Sequence, residues 1–170
     1  DDIRLNIEAA AEAGADCVVL HPPSYFKLNR AELGDFFRRA AEMSPLPLML
    51  YNIGMTGQLI PLDLVSELSR VKNIAGIKDS CGDMRYMYRL TAAFASRRNF
   101  SVFCGNDVLV ADSLRNGADG AVPGGVNFMP GILCELYRAH LAGDGVRFDA
   151  LREIVRQYDP LFWLDPSPSS

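Results

Sequence analysis

Two side chains in this sequence are of types that do covalent carbonyl chemistry, and each closes a short apolar run. Lys78 follows Ile74-Ala75-Gly76-Ile77, and Tyr51 follows Leu46-Pro47-Leu48-Met49-Leu50. An ammonium at the end of so apolar a run is expected to be desolvated, which favours the neutral amine. A neutral primary amine attacks a ketone and forms an imine, and the iminium then draws electrons from a neighbouring C–C bond. If the two runs are paired strands, Tyr51 lies about 4.8 Å from Lys78. A phenol there can move a proton to and from the substrate oxygen. The same residues also fit a plainer reading. Lys78 then pairs with Asp79 or Asp83 at a solvated strand end, and Tyr51 is a wall residue with a satisfied hydroxyl.

Other candidates carry less. His21 ends an apolar run, where a lone histidine is more often hydrogen-bonded than catalytic. Asn106 and Asp107 could meet a polar substrate, or Asp107 could cap the helix that follows. The Gly124-Gly125-Val126-Asn127 run admits a ligand close to the backbone, or is simply a turn. The four cysteines, Cys17, Cys81, Cys104 and Cys134, are far apart, and His21 and His140 are the only histidines. No clustered metal ligands are visible, so no metal is expected. Cys17 and Cys104 lie in strand-like runs and are expected to be small buried hydrophobes. Free cysteines of this kind fit a reducing, cytoplasmic compartment.

The elements that must position these residues alternate along the chain. Helical spacing predicts helices over residues 2–13, from Asn29 to Pro45, from Pro61, and over 83–97, 108–116, 130–142 and 146–158. Asn29 with Glu32 has the spacing of a capping box. Strands are predicted at 17–20, 46–51, 74–78, 101–104 and 120–123. They are short and apolar on both sides of the pleat, the pattern of parallel strands buried on both faces. The class is α/β with right-handed crossovers. A doubly wound sheet and a barrel both fit this pattern. Either way, chemistry belongs at the carboxyl ends of the strands. No GxGxxG or GxxxxGK[ST] is present, so dinucleotide and P-loop folds lack their fingerprints.

Composition excludes several classes. The chain has 170 residues, 49% apolar and 22% charged, with a formal net charge of −4. That fits a globular chain and not a disordered one. No apolar run approaches the roughly 18 residues of a membrane span. A mildly acidic chain without a basic block argues against nucleic acid and membrane partners. The first residues lack the basic region and apolar core of a secretion signal. The chain opens on Asp1 rather than Met, directly in helical pattern, as a piece of a longer protein would.

At Tyr51-Asn52-Ile53 and Gly76-Ile77-Lys78-Asp79 the chain resembles the dihydrodipicolinate synthase and N-acetylneuraminate lyase family, pyruvate-type class I aldolases on a (β/α)8 barrel. GADCVVLHPPSYFK resembles the family's fourth strand and its PPYY-type loop, and LPLMLYNI its fifth strand. NIAGIKDSCGD resembles the sixth strand with its Schiff-base lysine. FCGND and GADGAVPGGVNFMP resemble the seventh and eighth. The likeness covers residues 3–145. It implies a partial barrel, strands four to eight with their helices, over residues 1–145. A C-terminal helix at 146–160 would begin a further helical region, with a disordered tail at 161–170.

The resemblance implies Lys78 as the imine-forming residue and Tyr51 as general acid/base. Tyr25 matches the second tyrosine of the PPYY-type loop, which joins a proton relay in a neighbouring subunit. Val122, Gly105, Asp107 and Thr56 would face the substrate, pyruvate or another 2-oxo acid with or without an aldehyde. No metal or organic cofactor is needed, because the lysine supplies the electron sink. The full-length parent would be a homo-oligomer, a tetramer or dimer. Ser24 replaces the first tyrosine of the loop. The NIGMTG loop lacks the usual Pro and the Arg that synthases use for the aldehyde's carboxylate, and Met55 lies near that position. Val108 stands where sialate lyases carry a carboxylate. These departures point to a lyase, aldolase or dehydratase acting on a keto-deoxy sugar acid or another 2-oxo acid. The family's first three strands and its GTTGE-type carboxylate loop have no match here. Two alternatives stand beside this reading: a catalytically incompetent barrel piece that only binds ligand or partner chains, and another barrel enzyme such as a sugar-phosphate isomerase.

Overall fold

The structure is a computed structural model and describes residues 2–54, 57–97, 99–158 and 160. Five parallel strands run β1 (Val18–Leu20), β2 (Leu48–Asn52), β3 (Ile74–Asp79), β4 (Ser101–Cys104) and β5 (Gly120–Ala121). Their order in the sheet is the order of the chain. A doubly wound sheet reverses direction at a switch point. This one does not, so the singly wound, barrel-type arrangement is the one adopted. Among the described residues, seven α-helices precede, connect and follow the strands: α1 (Asp2–Glu12), α2 (Arg30–Met43), α3 (Leu62–Leu68), α4 (Met84–Phe94), α5 (Val110–Arg115), α6 (Pro130–Ala142) and α7 (Gly145–Tyr158).

Local signals set several boundaries. Asn29 Oδ1 accepts the Ala31 and Glu32 amides, each at 3.0 Å, and Glu32 Oε2 accepts the Asn29 amide at 2.8 Å. The capping box at the start of α2 is therefore complete. The helix expected over 108–116 divides in two. A 3-10 turn, Asp107–Leu109, precedes a short α5. The strand expected at 120–123 is shorter, because Pro123 has no amide to donate to a ladder.

One face of the sheet is the core. Leu48, Leu50, Ile77, Val102 and Cys104 are buried in one cluster with Leu33 and Phe37 of α2, Leu64 and Leu68 of α3, and Leu90 of α4. The other face is open among the described residues. It carries Val19, 49% exposed, with Tyr51, Lys78 and Phe103 half-buried. Burial on both faces was the expectation from the apolar runs, and only one is realised here. Crossovers of one hand, wound in one direction, put the connecting helices on one side. In a barrel the opposite side faces inward. Cys17, expected to be buried, is exposed, whereas Cys104 is buried. Cys17 precedes β1, which pairs on one side only, with β2.

Helix α7 packs against α6 and α5. Arg152 binds both oxygens of Asp112 at 2.8 and 2.9 Å, and Phe148 lies under the Arg115 guanidinium at 4.7 Å. The tail at 161–170 lies outside the described residues. Among the described residues, no helix is long and apolar enough to cross a membrane.

Candidate active site

Tyr51 and Lys78 are direct partners in the β2–β3 ladder, and Lys78 is the partner of Phe103 in β4. Residues in register on parallel strands share a face. The three side chains therefore form one row across the open face, near the carboxyl ends of the strands. Lys78 Nζ stands 4.4 Å from the centre of the Tyr51 ring. No described carboxylate pairs with Lys78, so the ion pair with Asp79 or Asp83 is not formed. Asp79, the next residue, points to the opposite face and is buried. Lys78 itself is half-buried rather than enclosed. The apolar residues around it line the other face of its strand. The Tyr51 hydroxyl has no hydrogen-bond partner among the described residues. Two other phenols are spent: Tyr86 donates to the Ile60 carbonyl at 2.6 Å, and Tyr137 to that of Asp119 at 3.2 Å.

The exit of β4 shapes the space beside Lys78. Gly105 donates its amide to the Asp79 carbonyl at 2.7 Å. A Cβ at Gly105 would meet Lys78 Cε at 2.7 Å and collide with Ser80 Oγ. A side chain here would make the end of the lysine and the Ser80 hydroxyl move from the positions they hold. Asp107 is held rather than open to solvent. Its Oδ1 accepts the Gly125 amide at 2.8 Å, joining the exit loops of β4 and β5. The N-cap position of α5 is Leu109, not Asp107. Val122 gives its amide to the Cys104 carbonyl at 2.8 Å and is half exposed. It lines a groove of about 460 Å³ beside β5, with Phe103, Val126, Leu133 and Tyr137. Lys78 and Tyr51 are not among the walls of that groove.

The remaining candidates fall elsewhere. Tyr25, in the loop after β1, is 88% exposed and meets the Phe26 ring edge-on at 4.7 Å. The chain does not bring it to Lys78. His21 is exposed, with Nδ1 2.6 Å from the Pro22 carbonyl, which is the plainer of its two readings. Thr56 and Met55 lie outside the described residues.

Asn52 had no assigned role in the sequence, and Asp79 only that of an ion-pair partner for Lys78, yet the two lie directly behind the row. Asn52 Nδ2 donates to Asp79 Oδ1 at 2.6 Å, both side chains being almost wholly buried. A signal was present. Asn52 is in phase with Leu48 and Leu50, and Asp79 with Ile77, so each is a polar residue on a core face. Burial pushes the Asp79 carboxyl above its ordinary range, against the opposing donors Asn52 and Cys81. Burial likewise pushes the Cys81 thiol up to about 12, so it stays a donor. A carboxyl with a raised folded-state pKa adds stability below its unfolded value and loses it as pH rises through the folded value. The parent is thus expected to gain stability relative to Asp79→Asn as pH falls from neutral. Urea unfolding of both at several pH values measures that difference. A pH-independent difference would contradict it.

A family model described as the dihydrodipicolinate synthetase family matches residues 5–163. A 4-hydroxy-tetrahydrodipicolinate synthase of Methanoculleus marisnigri is 34% identical over 167 residues, covering 98% of this chain and 56% of its own length. The putative 2-dehydro-3-deoxy-D-gluconate aldolase YagE of Escherichia coli K12 is 32% identical over 159 residues, covering 92% of this chain and 53% of its own length. The crystal structure of YagE in complex with pyruvate superposes with a TM-score of 0.90, over 96% of this chain and 57% of that one. The chain spans about half the length of these relatives. The order of the strands, the row of residues at their ends and the match across nearly the whole chain agree: this chain belongs to the dihydrodipicolinate synthetase family, and its five strands are a consecutive portion of a (β/α)8 barrel.

Proposed function

We propose that this chain carries the imine-forming part of a class I lyase or aldolase acting on a 2-oxo acid, with Lys78 as the Schiff-base residue and Tyr51 as general acid/base. The Lys78 amine adds to the C2 carbonyl carbon. The resulting hydroxyl leaves as water with a proton from Tyr51, and a protonated imine remains. In cleavage, the electrons of the C3–C4 bond pass into the iminium as an enamine. The C4 hydroxyl gives its proton to Tyr51 and departs as an aldehyde. Protonation of the enamine at C3 and hydrolysis release pyruvate and restore the amine. Bond formation is the reverse. The lysine is the electron sink, so no metal or organic cofactor enters these steps.

The observation that carries this reading is the pairing of Tyr51 with Lys78, with Nζ over the phenol ring. A barrel piece that only bound ligand, or a sugar-phosphate isomerase, has no need of that pair. The names of the relatives support the substrate class: one is a 4-hydroxy-tetrahydrodipicolinate synthase, and YagE was crystallised with pyruvate. Gly105 gives the lysine its room, Val122 contributes to the substrate wall, and Asp107 holds the loops that carry it. The exposed Tyr25 suits a relay completed by a neighbouring subunit of a homo-oligomer.

The test is borohydride reduction of the intact protein with pyruvate, followed by peptide mapping. The chain has three lysines, Lys27, Lys72 and Lys78, so the assignment is unambiguous. An adduct on Lys78 supports the reading; none on any lysine, or one on Lys27 or Lys72 alone, overturns it. Gly105→Ala is expected to push the lysine stem aside and slow adduct formation by about a hundredfold, the scale of an ångström-size misplacement. An unchanged rate would show that the stem has other room.

A further inference from the structure

On the face opposite Tyr51 and Lys78 runs a closed polar circuit that no step above uses. Asn52 and Asp79 follow those two residues in sequence and are themselves partners in the ladder. Asn52 Nδ2 donates to Asp79 Oδ1 at 2.6 Å, and Asn52 Oδ1 accepts the Ile60 amide at 2.8 Å. The Ile60 carbonyl accepts the hydroxyl of Tyr86, on α4, at 2.6 Å. At the start of α4, Asp83 caps the Arg85 amide at 2.8 Å, and its own amide donates to Cys81 Sγ at 3.4 Å. Cys81 returns to Asp79, its amide to Oδ1 and its thiol to Oδ2, each at 3.4 Å. The circuit thus links β2, the loop before α3, α4 and β3. The Ser80 amide adds a bond to the Asn52 carbonyl at 2.7 Å.

A buried carboxylate and amide are a costly way to fill a core, and an apolar pair would be cheaper. Their physical use is selectivity. A slip of β2 against β3 would break the Asn52–Asp79 bond, leaving the Asn52 amide N–H buried without its acceptor and Asp79 with only the longer Cys81 contacts, a penalty that favours the observed register. Successive residues on a strand point to opposite faces. Whatever fixes Asn52 against Asp79 therefore also fixes Tyr51 against Lys78.

We infer that Asn52 and Asp79 are positioning residues of the Schiff-base reaction, holding the Tyr51 phenol and the Lys78 amine in register from behind the sheet. The inference rests on the imine chemistry proposed above. It is tested in the intact protein with Asp79→Ala, Asp79→Asn and Tyr86→Phe. Each variant is measured for its rate of borohydride-trapped pyruvate adduct, for exchange of the pyruvate methyl protons in heavy water, for its half-saturating pyruvate concentration and for its melting temperature. Asp79→Ala is expected to lower both maximal rates about ten- to a hundredfold with the half-saturating concentration unchanged. Asp79→Asn keeps an acceptor oxygen facing Asn52 and is expected to restore most of the rate. Tyr86→Phe opens the far side of the circuit and is expected to give a smaller loss of the same kind.

A folded Asp79→Ala variant with parental rates overturns the inference. So does a folded Asp79→Asn variant as slow as the Ala variant, which would assign the effect to charge. If Asp79→Ala does not fold, parental rates in Tyr86→Phe overturn it. No adduct in the unsubstituted protein overturns the imine reading, and this inference with it. An adduct there, with parental rates in the folded variants, overturns this inference alone.

Discussion

Lys78→Met is expected to abolish the borohydride-trapped pyruvate adduct and to lower turnover by on the order of 10⁴- to 10⁶-fold, the scale reached when a covalent nucleophile is removed. The reason is chemical. Methionine has similar length and flexibility but no nitrogen to add to a carbonyl. The structure makes this a test of chemistry more than of folding. Lys78 is half-buried on the open face, has no described carboxylate partner, and rests against the Tyr51 ring. Its loss leaves no buried charge unpaired. Lys78→Arg is expected to be as inactive. A guanidinium stays protonated and cannot attack, and its longer head has less room beside Gly105. Mass mapping after reduction checks both variants. An adduct persisting in Lys78→Met would move the chemistry to another amine.

Tyr51→Phe keeps the ring under the lysine and removes only the hydroxyl. Turnover is expected to fall by about 10²- to 10⁴-fold, the usual contribution of a positioned acid/base group. The adduct should still form, more slowly, because the amine is intact. Melting temperature should change little, since the Tyr51 hydroxyl bonds to no described residue. Tyr86→Phe is the contrast, because that hydroxyl is bonded to Ile60 and its loss is felt through structure. Single-turnover trapping and steady-state rates on the same preparations separate the two effects. Parental turnover in Tyr51→Phe would remove the phenol from the mechanism.

Much of the fold was legible in the sequence, and each legible part rests on a local rule. The five apolar runs became the five strands, because β-branched and aliphatic residues between Gly, Pro and Asp turns have few other uses. Asn29 and Glu32 marked the start of α2, because a capping box is satisfied within four residues. The division of the 108–116 segment into a 3-10 turn and a short helix was not legible. Asp107 there bonds across to Gly125, a partner 18 residues away. Nor was the exposure of Cys17, which depends on what packs beside β1.

The candidate site divides in the same way. The sequence alone determined that an amine and a phenol end consecutive strands, and its resemblance implied imine chemistry for that order. It left open whether the sheet turns back on itself and whether Lys78 is held by a carboxylate. The tertiary structure decided both. Strand order showed a singly wound sheet, and the ladder placed Asp79 on the face away from Lys78 and joined it to Asn52. The physical reason is one of range. Alternation along a strand is written in neighbouring residues. Register between strands is set by buried pairs such as Asn52–Asp79, whose members are 27 residues apart and meet only when the chain has folded.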